Sequence, residues 1–237
     1  MNTWQGDLLG ITDAGRTADE VFEKIESASR ALGFEYCAYG LRVPTPISNP
    51  RTVMLSNYPL DWQARYASAG YLATDPTVAH GRLSQTPLPW TDALFNATPT
   101  LWEESQSFGL RYGWAQSSLD AVGVGGMLSL ARSCEVLSPA ELAKQEVKMR
   151  WLVNISHMAL SRIFVSNLVK DAQPDLTSRE VEVLKWTADG KSSNEIADLL
   201  SISENTVNFH IKNSVVKLRT TNRTAAVVRA AMLGLLN

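Results

Sequence analysis

The stretch from Thr177 to Leu218, TSREVEVLKWTADGKSSNEIADLLSISENTVNFHIKNSVVKL, packs three helix starts so closely that it predicts a compact helical hairpin. Thr177 with Glu180, and Ser192 with Glu195, have the spacing of capping boxes, in which a hydroxyl takes first-turn N–H groups while a glutamate reaches back. Gly190 stops the first helix, and the three-residue turn SIS leaves Ser203 to cap a helix starting at Glu204. Two short helices about so tight a turn predict a helix-turn-helix. On the second, Val207, Ile211, Val215 and Leu218 recur at steps of three and four and face inward, which turns Asn205, Asn208, Phe209 and Lys212 outward. Amide groups and an ammonium suit base edges in a major groove, and an apolar ring suits a thymine methyl. Ser203, Thr206 and the helix amino terminus suit a phosphate. A small helical domain with a merely solvated outer face gives the same spacing. The segment from Asn222, ending RTAAVVRAAMLGLL, predicts an alanine-rich closing helix that offers Ala230 or Leu233 to a second copy.

Charge is distributed to match. The net charge of −2 conceals a gradient, with eight Lys and Arg against six acids in 176–237 (+2) and a balance of −4 in 1–175. The last 34 residues hold five of the basic residues and one acid, Glu204.

Ahead of this unit, VKDAQPDLT is short, polar and proline-bearing, and Pro174 disfavours helix in the residue before it, so 167–175 is expected to be a linker between a domain at 1–166 and one at 176–237. A long helix is expected from Ser138 to 166, opened by a Ser138–Glu141 capping box with Pro139 in the first helical position. Another is expected over ADEVFEKIESASRAL, capped by Thr17 and Glu20 and stopped at Gly33. Between them FEYCAYGLRV, TVMLS, GWAQSSLD and GGMLSLAR read as strands, and 59–69, 74–84 and 98–108 as helices. The front domain is thus expected to be a sheet with helices packed on its faces.

That domain carries an aromatic and acidic set. Tyr58, Trp62 and Tyr66 step by four, which puts them on one helical face. Trp62 fits an ordinary core position equally well. Asp75 in YLATDPTV is open to two readings, a cap for the helix after Pro76 or an acceptor inside a pocket. A small amide would satisfy the second: Asp75 accepts its N–H, Trp90 donates its indole N–H to one carbonyl, and Tyr58 with Ser129 donates to another.

These residues carry a family resemblance. The carboxyl-terminal stretch resembles the DNA-binding domain of LuxR-type transcription regulators in Glu180, Leu184, Gly190, EIA at 195–197 and TVNFH at 206–210. NYPLDWQARYASAGYLATDPTV followed by LPW resembles the pocket signature of acyl-homoserine lactone receptors of that family, and LSNYP and the terminal GLLN are shared with its orphan receptors of Pseudomonas type. The resemblance implies an α+β protein, an α/β/α sandwich autoinducer-binding domain followed by a four-helix helix-turn-helix DNA-binding domain. It places the lactone carbonyl at Trp90, the amide N–H at Asp75 and the acyl carbonyl at Tyr58 and Ser129. Trp62 and Tyr66 would pack around ring and chain, with Gly40, Arg42, Thr77, Val78 and Met127 lining the rest. The implied partners are an acyl-homoserine lactone, double-stranded promoter DNA and a second copy of the chain, with RNA polymerase a further one left open. Many relatives place an arginine where this chain has Asn205, so a contact made there does not transfer.

Other classes are expected to be excluded. No early acid pair follows an apolar strand as a phosphorelay receiver requires, and His80, His157 and His210 are scattered with no paired-histidine metal motif or nucleophile elbow, so neither catalysis, a metal nor a cofactor is expected. Two cysteines, no secretory leader and no apolar run near the ~18 residues of a span lead us to expect a cytoplasmic protein. A regulator that needs no ligand remains the alternative.

Overall fold

The computed structural model of the chain describes residues 10, 15–43, 51–120, 124–169 and 175–236. These divide into two compact units, the first running to Val165 and the second from Ser166.

The first unit opens with α1 (Ala18–Ala31), whose Thr17–Glu20 capping box is fully formed and whose Val21, Phe22, Ile25 and Ala28 are buried. Strands β1 (Tyr36–Val43) and β2 (Arg51–Ser56) follow. Four helices then run in succession, α2 (Leu60–Ser68), α3 (Pro76–Leu83), α4 (Asp92–Phe95) and α5 (Pro99–Ser107), with the two-residue strand β3 (Leu88–Pro89) between α3 and α4. Strands β4 (Tyr112–Leu119) and β5 (Gly125–Arg132) follow, and the long helix α6 (Pro139–Val169) belongs to this unit as far as Val165. The sheet order is β2-β1-β5-β4-β3, and each neighbouring pair is antiparallel.

Strand alternation sorts side chains between two layers. Cys37, Tyr39 and Leu41 of β1 and Leu128 and Leu130 of β5 are buried against α1 and, on α6, against a stripe that includes Met149, Leu152, Ile155 and Ala159 at three- and four-residue steps. Each fully buried aliphatic side chain there contributes roughly 1.5–3 kcal/mol. The opposite face carries Ala38, Gly40, Met127 and Ser129 toward α2–α5, so the fold is the expected sandwich. Helix α6 extends three residues beyond the expected domain end at 166, and residues 170–174 of the expected linker, Pro174 among them, lie outside the described residues. The Ser138 hydroxyl accepts the Glu141 N–H as a cap should, but the Glu141 carboxylate is taken by a bidentate pair with buried Arg132 (2.7 and 2.8 Å), which ties the end of β5 to the start of α6.

The second unit is four helices, α7 (Ser178–Ala188), α8 (Ser193–Leu200), α9 (Glu204–Lys217) and α10 (Arg223–Met232). Both capping boxes are complete, at Thr177–Glu180 and Ser192–Glu195. Val183, Ile196, Ala197, Val207 and Ile211 form one core cluster, and Leu184, Leu218, Ala226 and Ala230 another. Ala230 is therefore not offered to a second copy: it is fully buried in its own unit, clustered with Leu184, Leu218 and Ala226.

Candidate functional site

A cavity of about 560 Å3 lies between the sheet and α2–α5. Gly40, Tyr58, Trp62, Tyr66, Asp75, Thr77, Val78, Trp90, Met127 and Ser129 all line it. Arg42 does not. It shares the strand face of Ala38 and Gly40 but is exposed, level with Thr52 and Gly125. A guanidinium among apolar walls without a carboxylate would cost several kcal/mol, so it stays in water.

Asp75 caps α3, as the first of its readings expected, and its carboxylate also lines the cavity. Its Oδ1 accepts the Thr77 N–H (2.8 Å) and the Thr77 hydroxyl (2.6 Å), while its Oδ2 accepts the Tyr66 hydroxyl (2.9 Å). A carboxylate offers about four lone-pair sites, so roughly one is left for a guest. Trp62 is likewise both core and wall, 3% exposed and edge-on to Tyr66 at 5.8 Å. Burial, with the Asp75 charge and its hydrogen bond, holds the Tyr66 phenol far above its usual range. Burial does the same to Tyr58, aided by Cys37 and Asp75, so both hydroxyls remain donors at neutral pH.

Trp90 is the least satisfied member. Its backbone N–H donates to the Gly113 carbonyl (2.8 Å), but its indole N–H is buried with no hydrogen-bond partner. A buried orphan donor costs about 1–3 kcal/mol, which an incoming carbonyl would recover. Phe95 and Trp102, stacked 4.4 Å apart, both meet the indole edge-on. Its other support is Gly113 on β4, where a Cβ would come within 2.1 Å of two ring carbons. Sequence reasoning missed Gly113, whose signal was a glycine inside a strand, a mark of close approach. It also missed Phe95, Leu101 and Leu110, which close the cavity, and Thr52 and Met54 on β2.

In the second unit Asn205, Asn208, Phe209 and Lys212 all lie exposed on α9, Phe209 to 59%. Ser203 accepts the Thr206 N–H at 3.1 Å, and the two hydroxyls are 2.8 Å apart. The Asn208 Oδ1 already accepts from Ser193 (2.8 Å), which ties α8 to α9 and leaves mainly its amide N–H groups facing out. Lys217 is held by the buried Glu180 carboxylate (2.8 Å) and is not a free surface cation.

Nδ1 of buried His157 is 2.8 Å from the Tyr39 hydroxyl, and His80 meets the Thr86 carbonyl. Burial pushes the Cys37 thiol up to about 12. Among the described residues no three His, Cys, Asp or Glu side chains converge as metal ligands, and no helix is long and apolar enough to cross a membrane.

Residues 17–160 match the family model described as autoinducer binding domain, and 174–230 that described as bacterial regulatory proteins, luxR family. The chain is 45% identical to the transcriptional activator protein AnoR of Acinetobacter nosocomialis, over 100% of both chains. A crystal structure of Escherichia coli SdiA resembles it with a TM-score of 0.84 at 36% identity, over 99% of this chain and 98% of that one. The structure of SdiA in complex with octanoyl-rac-glycerol has a TM-score of 0.81 at 38% identity, over 99% and 95%.

Proposed function

The chain belongs to the LuxR family of quorum-sensing transcription regulators, with an autoinducer-binding domain and a helix-turn-helix domain, and from that premise we propose that it binds an acyl-homoserine lactone in the front cavity, dimerises and regulates transcription at promoter DNA. Its relatives are regulators, not enzymes. The observation that carries the ligand reading is the unpartnered Trp90 indole N–H on the wall of the cavity that also holds Asp75, Tyr58 and Ser129. A lactone carbonyl satisfies Trp90, an amide N–H takes the remaining acceptor site on Asp75, and an acyl carbonyl meets the Tyr58 and Ser129 hydroxyls. Trp62, Tyr66, Thr77, Val78, Gly40 and Met127 enclose the apolar remainder.

Ligand that binds only the folded form adds roughly 2.7 kcal/mol at a hundredfold excess over Kd, a large part of a marginal fold. The folded chain pairs with a second copy and presents two α9 helices to a two-fold site. There Asn205, Asn208, Phe209 and Lys212 face the major groove, with Ser203 and Thr206 at a phosphate. The test is the melting temperature and soluble yield of the full chain with a series of acyl-homoserine lactones, with an octanoyl glycerol as the competing head group. A rise with a lactone supports the reading; no shift with any chain length removes it.

A further inference from the structure

Exposure is uneven around the cavity. Trp62, Thr77, Phe95, Leu101, Leu110 and Ser129 are buried, whereas Thr52, Met54, Ala67 and Gly70 are exposed, Met54 to 49%. The first pair of exposed residues lies on β2, the edge strand of the sheet, and the second pair at the end of α2. Strand register orders the floor between the two regions. Ser56, Ala38 and Ser129 form one row, Met54, Gly40 and Met127 the next, and Thr52 stands in the row beyond. At ~3.3 Å per residue these rows span about 13 Å. At Gly40 nothing among the described residues lies within 4 Å of where a Cβ would stand, so a slot runs along the floor between two methionines.

We propose that the cavity, as the described residues line it, is an open-ended acyl channel, closed around the head group near Trp90 and Ser129, in which the tail passes over Gly40 and leaves past Met54, so that long acyl chains are accepted. This rests on the lactone reading above. Met54 is the specificity-determining residue: an unbranched thioether on the rim covers the end of the tail without a fixed wall. Each methylene buried in the slot strengthens binding about fourfold. Methylenes beyond the rim stay in water and add little. A closed cavity behaves differently, because each carbon too many strains its walls and reverses the gain.

Calorimetric titration of the full-length chain with straight-chain N-acyl homoserine lactones from butanoyl to tetradecanoyl tests this. Soluble yield of the chain expressed with each lactone is a second readout that needs no ligand-free protein. The expected profile is a Kd that falls about fourfold per methylene and then levels off. Met54→Trp, which caps the rim, lowers the tetradecanoyl-to-hexanoyl affinity ratio tenfold or more. A sharp optimum followed by a tenfold or greater loss in longer chains overturns the open channel while leaving the lactone reading standing, and so does an unchanged ratio in Met54→Trp. Binding of no lactone at any length overturns both.

Discussion

The Trp90 indole covers the backbone of Gly113 so closely that a Cβ at 113 would stand 2.1 Å from ring carbons Cδ2 and Cε3. The ring cannot keep its place beside any side chain. Gly113→Ala is expected to cost about 1–3 kcal/mol of stability by overpacking and to weaken lactone binding at least tenfold as the indole turns away. Chemical denaturation and calorimetry on the same preparation check both effects; unchanged affinity would show that Trp90 does not hold the ligand.

Trp90→Phe removes a donor that no protein group accepts. Its cost is therefore expected to be about 1–3 kcal/mol larger in the lactone complex than in the free chain, the worth of a hydrogen bond made only to the guest. Denaturation midpoints with and without lactone give the difference directly, and equal costs in the two states would count against the assignment.

Asp75 tests whether a cap and an acceptor can be separated. Asp75→Asn keeps an oxygen for the Thr77 N–H, so stability without ligand is expected to fall by no more than about 1 kcal/mol. The amide now presents N–H groups where a guest amide needs an acceptor, and binding is expected to weaken by about 1.5–3 kcal/mol. Asp75→Ala should lose the cap, the Tyr66 partner and the ligand together. Full ligand-induced stabilisation in the asparagine variant would contradict the proposed contact.

The Glu180–Lys217 pair sets an acid limit on the second unit. Burial alone would raise the Glu180 carboxyl, but the Lys217 ammonium and the Thr177 N–H outweigh it and hold the group below its ordinary 4.5. A depressed carboxylate contributes stability that is complete above the unfolded value and is lost as pH falls through the folded one. The unit is therefore expected to lose stability progressively below about pH 4.5. Glu180→Gln is expected to remove that portion of the pH dependence and to cost about 1.5–3 kcal/mol at pH 7. Circular dichroism melts across pH 3–7 measure it.

On α9, Lys212 and Phe209 are expected to separate charge from contact. Lys212→Ala weakens the cognate site more than other duplexes, by roughly 1–3 kcal/mol, and lowers the slope of log K against log salt because a cation leaves the groove. Phe209→Ala leaves that slope unchanged, weakens the cognate site by roughly 1–3 kcal/mol, and destabilises the unit little because the ring is 59% exposed. Fluorescence anisotropy over a salt series separates the two; an equal slope and an equal cognate affinity for Lys212→Ala and the parent would place the ammonium outside the groove.

Local chemistry was legible and long-range consequence was not. The boxes at Thr177, Ser192 and Thr17 form as their spacing predicts, because both partners lie within one helical turn. Glu141 has the same spacing from Ser138, yet its carboxylate goes to Arg132, a choice made by where β5 ends rather than by any local signal. Period-two alternation put Arg42 on the same face as Gly40, but alternation does not say where a cavity stops. Helix α4, only four residues long, leaves no periodic trace, so Phe95 was missed although it buttresses Trp90. The Asn208–Ser193 bond joins two helices whose relative placement the turn determines and the letters do not.

Strand β1 serves two masters, with Cys37, Tyr39 and Leu41 locked in the packed layer and Ala38 and Gly40 bordering the cavity. Point changes at the second set are free to retune which signal is heard while leaving the scaffold untouched, and changes at the first are paid in solubility before any retuning is felt. Divergence among descendants of such a chain should accordingly accumulate at every other position of this strand.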